Sequence, residues 1–293
     1  MKLLRISASS EVSDRYRAWS APQEDTMMHA LLREELYYDR GFKYLETGNC
    51  IDEYDVYRAG WFWTQYTLMA SVFVYRYGTL LQRKFLDKIS LLNQGYNKVL
   101  QQLCFDFYTL PSLKTMFFVP SESTKKRVEH LICEHFSFPM ILKNPSENRG
   151  KWVFKIDDLA SLQHYMEEVI VEKKKAWVFV QEFYTASCDY RAIVIGDTVL
   201  GVIKRSNTEW WFKHNVSQGA MAEVVVTVPD AVKTVCIHAT QSLWLDIWWV
   251  DFFRDWVHDP ILIEVNRMPQ YAWFEQATWI SFLDAVAQYI TKL

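Results

Sequence analysis

A small α/β unit ahead of a larger α+β unit is the fold class this sequence predicts, and three observations support it. The chain has 293 residues, 50% of them hydrophobic and 23% charged, which is enough for one large core or two ordinary ones and too apolar for disorder. Near residue 92 its character changes, from helix-period segments with few turn signals to short β-rich runs separated by turns. No internal repeat or low-complexity tract interrupts either part. The predicted domains are therefore 1–92 and 93–293.

In the first part, 27–42 has helical spacing, 54–58 reads as a short strand, and 64–77 and 80–91 read as helices. Residues 59–75 form an uncharged stretch at the lower limit for a membrane span. Thr64, Gln65, Thr67 and Ser71 within it would need hydrogen-bond partners in lipid, so a buried core helix is expected instead. The N-terminus lacks the apolar stretch of about 7–15 residues that marks a secretory signal.

In the second part, Leu110-Pro111 opens a strand over 114–119, and a helix follows over 121–135 with Ser121 as its cap. Strands over 139–143 and 152–156 flank the polar loop 144–151, the pattern of a hairpin with a long tip. A helix over 158–171 leads through the charged turn 172–175 to strands over 176–183, 190–195 and 199–204. Gly196-Asp197 makes the tight turn between the last two. A strand over 224–228, a helix over 230–245, paired strands over 248–253 and 261–265, and a helix over 274–290 complete the chain.

A formal net charge of −3 supplies no field that would collect nucleic acid, so neither nucleic acid nor a membrane is an expected partner. The five cysteines are odd in number, widely spaced and without a C-x-x-C pair. They suggest neither a disulfide framework nor a zinc cluster, and a reducing cytoplasmic location fits.

The chemistry-bearing residues lie mostly near the C-terminus. Asp251 and Glu264 are thirteen residues apart, enough for one strand to turn over and return beside itself. Glu264 and Asn266 share a strand face. Three oxygen donors can then converge as Mg2+ requires, although a hairpin whose polar residues simply face water has the same spacing. Lys143 ends the apolar strand PMILK, where it can reach phosphate oxygens, whereas most strand-end lysines are only solvated. Gly150 in the following loop leaves backbone N–H groups free to approach phosphates. Asp189, Arg191, Lys204 and Arg205 can gather at one end of a hairpin, ordinarily as plain cross-strand ion pairs. Lys213, His214 and Asn215 lie in an irregular stretch before Gly219, the kind of segment that tends to carry function.

In this order the pieces resemble the ATP-grasp superfamily, in its RimK-like branch of glutamate and other amino-acid ligases. The matching stretches are NKVLQQL (97–103), FPMILKNPSENRGKWVF (138–154), VFVQEF (178–183), DYRAIVIGDTVLGVIKR (189–205), FKHNVSQGA (212–220), LDIWWVDFFRD (245–255) and PILIEVNRMPQ (260–270). The likeness covers about 93–293, is densest in the last hundred residues and is weak over the first ninety. It implies an ATP-grasp fold, two α+β subdomains clasping ATP, preceded by a small α/β pre-ATP-grasp domain.

The resemblance implies roles. Lys98 and Lys143 match lysines that contact ATP phosphates, and the loop containing Gly150 matches the flap over them. Glu182 and Phe183 match the hinge that meets adenine, and Asp189 matches an acid near the nucleotide. Arg205, Lys213, His214 and Asn215 match the segment beside the transferred phosphate. Asp251, Glu264 and Asn266 match ligands of Mg2+, with Mn2+ as a substitute. Arg205 and Lys143 would then be the catalytic pair, neutralising charge while a carboxylate attacks the γ-phosphate and an amine displaces phosphate from the acyl phosphate. The implied partners are ATP and an amino acid, peptide or protein terminus; many relatives also form homo-oligomers. A catalytically silent nucleotide-binding or interaction protein on the same fold remains open, as does an unrelated α+β binding module.

One departure from the family pattern recurs. The chain has 9 glycines and 13 tryptophans, about 3% glycine against an average of roughly 7%. Trp152, Trp210, Trp244, Trp249, Trp273 and Trp279 all stand where the family commonly has glycine. Either the protein is a degenerate member with indoles in its cleft, or its gene uses UGA for glycine, as some bacterial lineages do, and UGA has been read as tryptophan.

Overall fold

The computed structural model describes residues 2–6, 37–40, 56–59, 84–86, 98–143, 153–168, 178–206, 221–254, 260–267 and 272–292. The first part contributes four strands, β1 (Lys2–Ile6), β2 (Tyr37–Arg40), β3 (Val56–Ala59) and β4 (Lys84–Leu86). They form one parallel sheet in the order β2-β1-β3-β4. Two expectations are corrected here, because 37–40 and 84–86 are strands where helices were predicted over 27–42 and 80–91. Short apolar runs such as Tyr37-Tyr38 do not distinguish a buried strand from a helix by periodicity. β1 was not predicted, and the helix expected over 64–77 lies outside the described residues.

Next come α1 (Lys98–Phe107), β5 (Thr115–Phe118), α2 (Lys125–His135), β6 (Met140–Lys143), β7 (Val153–Ile156), α3 (Leu159–Glu167) and β8 (Val178–Glu182). The four strands make an antiparallel sheet in the order β5-β8-β6-β7, and β6–β7 is the expected hairpin. Val128 and Ile132 of α2 and Leu162 and Met166 of α3 pack on Leu142 and Val180 of this sheet. α2 starts later than expected. Ser121 and Thr124 instead close a turn of their own, with the Thr124 N–H donating to Ser121 O at 3.0 Å. α3 does begin as predicted, through a capping box between Asp158 and Ser161.

The last group is β9 (Cys188–Ile195), β10 (Thr198–Ser206), β11 (Met221–Val224), α4 (Asp230–Ser242), β12 (Ile247–Phe253), β13 (Ile261–Arg267), α5 (Ala272–Thr278) and α6 (Phe282–Lys292). Its strands form an antiparallel sheet in the order β11-β10-β9-β12-β13. Val232, Cys236 and Ala239 of α4 bury one face against Tyr190, Val202, Trp248 and Phe252, and Phe105 of α1 joins the same core. β11 lies earlier than the strand expected over 224–228.

Two helix ends also differ from expectation. α4 stops at Ser242 rather than 245, and the helix expected over 274–290 is broken into α5 and α6. Each break falls at a tryptophan in the left-handed region, Trp244 at φ 53° and Trp279 at φ 58°. Beyond the second break, Ser281 Oγ accepts the Asp284 N–H and the Glu275 carboxylate accepts the Phe282 N–H, so α6 starts with donors of its first turn satisfied.

Gly196 forms the β9–β10 turn at φ 61°, and a Cβ there would stand 2.3 Å from the Tyr289 ring. Its N–H donates to Asp246 O, and Tyr289 Oη donates to the Asp246 carboxylate, so the turn, the start of β12 and α6 are tied together. Gly196→Ala is expected to cost on the order of 2 kcal/mol or more, from the left-handed backbone and the clash together. Chemical denaturation measures it. Among the described residues no helix is long and apolar enough to cross a membrane. Cys104, Cys133, Cys188 and Cys236 are free thiols.

Candidate active site

Strand register assembles a charged row on one face of the five-stranded sheet. β12 and β13 pair antiparallel with Asp251 opposite Glu264, and β12 pairs with β9 so that Asp251 also stands opposite Arg191. β9 and β10 place Asp189 opposite Arg205. The ladder bulges between Asp251 and Phe252, an irregularity that re-aims neighbouring side chains.

Two bidentate pairs anchor the row. Arg205 donates through Nε and Nη2 to the two oxygens of Asp189, and Arg191 does the same to Asp251, every distance being 2.6 Å. Arg205 Nη2 also lies 3.3 Å from Asp251 Oδ2, which joins the pairs into one network. Burial works against the Arg205 charge, yet Asp251 and Asp189 outweigh it and hold its pKa above the ordinary arginine value. Lys204 does not join them, because it faces the opposite side and meets Glu223 at 3.5 Å.

Asn266 closes the other end. Its Nδ2 donates to Asp251 Oδ2 at 3.0 Å and to Glu264 Oε1 at 2.8 Å, so the three side chains expected to bind a cation do converge. Asp251 is buried at 3% exposure, which rules out a pair of strands merely turning its polar residues to water. Lys98, at the start of α1, brings Nζ to 3.5 Å from Glu264 Oε2. Burial opposes ionisation of Glu264, but Lys98, Lys143, the Asn266 hydrogen bond and Arg191 together hold its pKa down to about 2.

Lys143 is buried at the end of β6, donating to Gln181 Oε1 at 2.9 Å with Nζ 4.9 Å from the Phe179 ring centroid. Gln181 is held in turn, its Nε2 donating to Thr115 Oγ1 at 3.1 Å. Burial lowers the Lys143 pKa to about 8; Glu264 opposes the shift and Lys98 adds to it. A lysine in this state is poised to gain from an arriving anion.

The donor set fits a hard divalent cation. It offers the Glu264 carboxylate, the Asp251 carboxylate, whose oxygens also hold Arg191, and an amide, and a half-turn of the Asn266 side chain exchanges its nitrogen for its oxygen. Among the described residues there is no cluster of three His, Cys, Asp or Glu, so Asn266 completes this set.

Other predicted residues have partners of their own or fall outside the described residues. The Glu182 carboxylate accepts the Lys114 N–H at 2.7 Å and its own N–H donates to Lys114 O, while the Lys155 ammonium sits over the Phe183 ring at 5.4 Å. Gly150, Lys213, His214 and Asn215 lie outside the described residues, as do Trp152 and Trp210. Asp189, expected near the nucleotide, is buried and paired with Arg205.

Sequence reasoning placed Arg191 only in a cluster of hairpin charges, without Asp251 as its partner, and assigned no role to Gln181 or Gln101. A polar residue directly after the apolar run VFV (178–180) was the available signal for Gln181. The other two depend on pairings between distant elements.

The RimK-like ATP-grasp domain matches residues 98–290. A probable alpha-L-glutamate ligase of Nitrosococcus oceani is 30% identical over 156 residues, 53% of this chain and 50% of that protein. The chain thus spans about half the length of that curated relative. Among solved structures, the ATP-grasp ligase PsnB complexed with minimal precursor, Mg and ADP matches at TM-score 0.67 and 13% identity, covering 99% of this chain and 96% of the other. The D-alanine–D-alanine ligase of Bacillus anthracis matches at TM-score 0.67 and 14% identity with the same coverage. At such identities these likenesses show the fold, which is the ATP-grasp fold. With two thirds of its length spanned by one domain match, the chain belongs to the RimK-like ATP-grasp family.

Proposed function

We propose that the protein is an ATP- and Mg2+-dependent ligase that joins a carboxylate to an amine through an acyl phosphate. The convergence of Asp251, Glu264 and Asn266 carries this reading, ringed as they are by the cations Lys98, Lys143, Arg191 and Arg205. That pattern suits a polyphosphate, whose negative charge needs a cation held by oxygen donors and basic side chains beyond it. Membership of the family and the ligase names of its relatives point the same way.

In the proposed reaction a carboxylate oxygen attacks the γ-phosphorus and the bond to ADP breaks. The amine then attacks the acyl carbon, phosphate leaves, and the amine proton passes to solvent. Lys98 and Lys143 bind phosphate oxygens, and Arg205, fixed by Asp189, keeps positive charge beside the transferred group. Asp251, Glu264 and Asn266 would hold Mg2+, which supplies further neutralisation of the phosphates when bound. The protein's part is positioning and electrostatics, with no side-chain nucleophile. An amino acid, peptide or protein terminus is the proposed substrate class.

Lys143 gives this reading a pH signature. Its folded pKa of about 8 lies below the ordinary lysine value, so between about 8 and 10.4 the unfolded chain binds more protons and stability rises with pH. Phosphate binding needs the charged form, so ATP affinity is expected to fall as pH rises through about 8. Lys143→Met should bind ATP weakly and lose that dependence. Calorimetric titration with ATP from pH 7 to pH 9 measures both, and an unchanged slope in the variant would free Lys143 of this role.

A further inference from the structure

β13 is an edge strand, and what covers its open side is informative. At Leu262 the cover is the loop after α1, with the Leu262 N–H donating to Pro111 O at 2.8 Å. At Val265 it is a side chain. Gln101 Nε2 donates to Val265 O at 2.8 Å and Gln101 Oε1 accepts the Val265 N–H at 2.9 Å, so the amide completes the ladder as a neighbouring strand would. Gln101 is 3% exposed, and Val265 lies between Glu264 and Asn266. Lys98, one turn earlier on α1, meets Glu264.

We propose that Gln101 is a positioning residue that fixes the height and direction of Glu264 and Asn266 for the nucleotide's cation. This rests on the ligase reading above. A chain with neither hydrogen bond at Val265 leaves that segment of β13 free to shift by a fraction of an ångström, enough to misplace ligands that tolerate little displacement.

The test compares ADP binding with and without Mg2+ in the wild type, Gln101→Met, Gln101→Leu and the control Gln102→Leu, whose amide serves Asp106 and Ser112. Loss of a residue that orients metal ligands should weaken Mg2+-dependent ADP binding by about 10- to 100-fold. Binding of ADP alone should not change, and Gln102→Leu should match the wild type. Equal weakening with and without Mg2+, or none, overturns the proposal. Gln101→Met keeps most of the side-chain volume and serves if the leucine variant unfolds. A wild type lacking Mg2+-dependent ADP binding would remove the ligase reading, and this one with it.

A second observation stands independently. At the end of α4 the Trp244 N–H donates to Gln241 O and the Leu245 N–H to Thr240 O, the paired bonds of a Schellman motif with Trp244 at the left-handed position after the cap. At the end of α5 the Trp279 N–H donates to Glu275 O, the single bond of the simpler left-handed cap. Glycine is the usual residue at both places because a Cβ crowds the backbone there. The indoles offer little in return, with Trp279 92% and Trp244 59% exposed. Thr109 ends α1 in the same conformation, so glycine is not obligatory. Yet two of the three described non-glycine residues in that region are tryptophans, and both are positions where the resemblance to the ATP-grasp family implies glycine.

The geometry points to a chain that, as made in the cell, carries glycine at 244 and 279, each encoded by UGA. Trp249, wholly buried against Phe274, has no such backbone and is left out of this claim. UGG at either codon overturns the inference for that position. The structural half is tested by thermal unfolding of Trp244→Gly, Trp279→Gly and the matching alanine variants. Glycine should exceed alanine by about 2–4 °C at each position. Equal values would show that the backbone does not ask for glycine.

Discussion

Glu264→Gln is expected to cut ATP-dependent turnover by at least about 10²-fold while leaving a folded protein. The substitution preserves shape, and the amide oxygen can still accept from Asn266. What disappears is the charge that faces Lys98 and Lys143 and that would balance a divalent cation. A second effect follows from its pKa. Because the folded value is about 2, below the ordinary glutamate value of about 4.3, ionised Glu264 contributes stability that is fully present above the unfolded value and is lost as pH falls toward 2. The variant should therefore be less stable than the wild type at pH 7, by on the order of 1–3 kcal/mol, with the gap closing as the solution is acidified below about pH 4. Full turnover in the variant would remove Glu264 from the metal set.

Arg205→Met is expected to be the most destabilising change in the charged row, costing about 3–5 kcal/mol. Arg205 is 2% exposed and satisfies both oxygens of Asp189, itself buried, while approaching Asp251. Removing the cation alone leaves an uncompensated carboxylate in the interior. Adding Asp189→Asn should return part of the loss, so that the two changes together cost less than their sum by about 0.5–3 kcal/mol. Urea unfolding of the two singles and the double gives the coupling directly. A loss below about 1 kcal/mol for Arg205→Met would mean that water replaces the guanidinium and the pair is not a structural anchor.

The parts of this site that were legible in the sequence are those set by hairpins. Asp251 meets Glu264 because a strand that turns and returns must bring such a pair together, and Asp189 meets Arg205 because Gly196-Asp197 fixes the register of β9 on β10. Arg191 was harder to place. Its partner depends on β9 lying beside β12, which no local signal specifies. Gln101 and Val265 are 164 residues apart and meet only because α1 packs along the edge of the last sheet. Helix ends were misjudged for another reason, since Trp244 and Trp279 continue an apolar helical pattern where a glycine would have announced a stop. In the first unit the misreading was of period, with short aromatic segments such as 37–40 taken for helix although they pair in a parallel sheet.

On the proposed reading the charged row serves ATP-driven amide formation. Its most direct test incubates the protein with ATP, Mg2+ and a panel of amino acids and short peptides, and measures ADP, phosphate and amide product together. The chain as written and one carrying glycine at 152, 210, 244, 249, 273 and 279 are assayed side by side. The expected result is ADP, phosphate and amide in equal amounts for at least one pair of substrates, with hydroxylamine diverting the product to a hydroxamate. No ADP from any pair, together with no measurable ATP binding by either chain, would contradict it and leave a silent protein on the same fold.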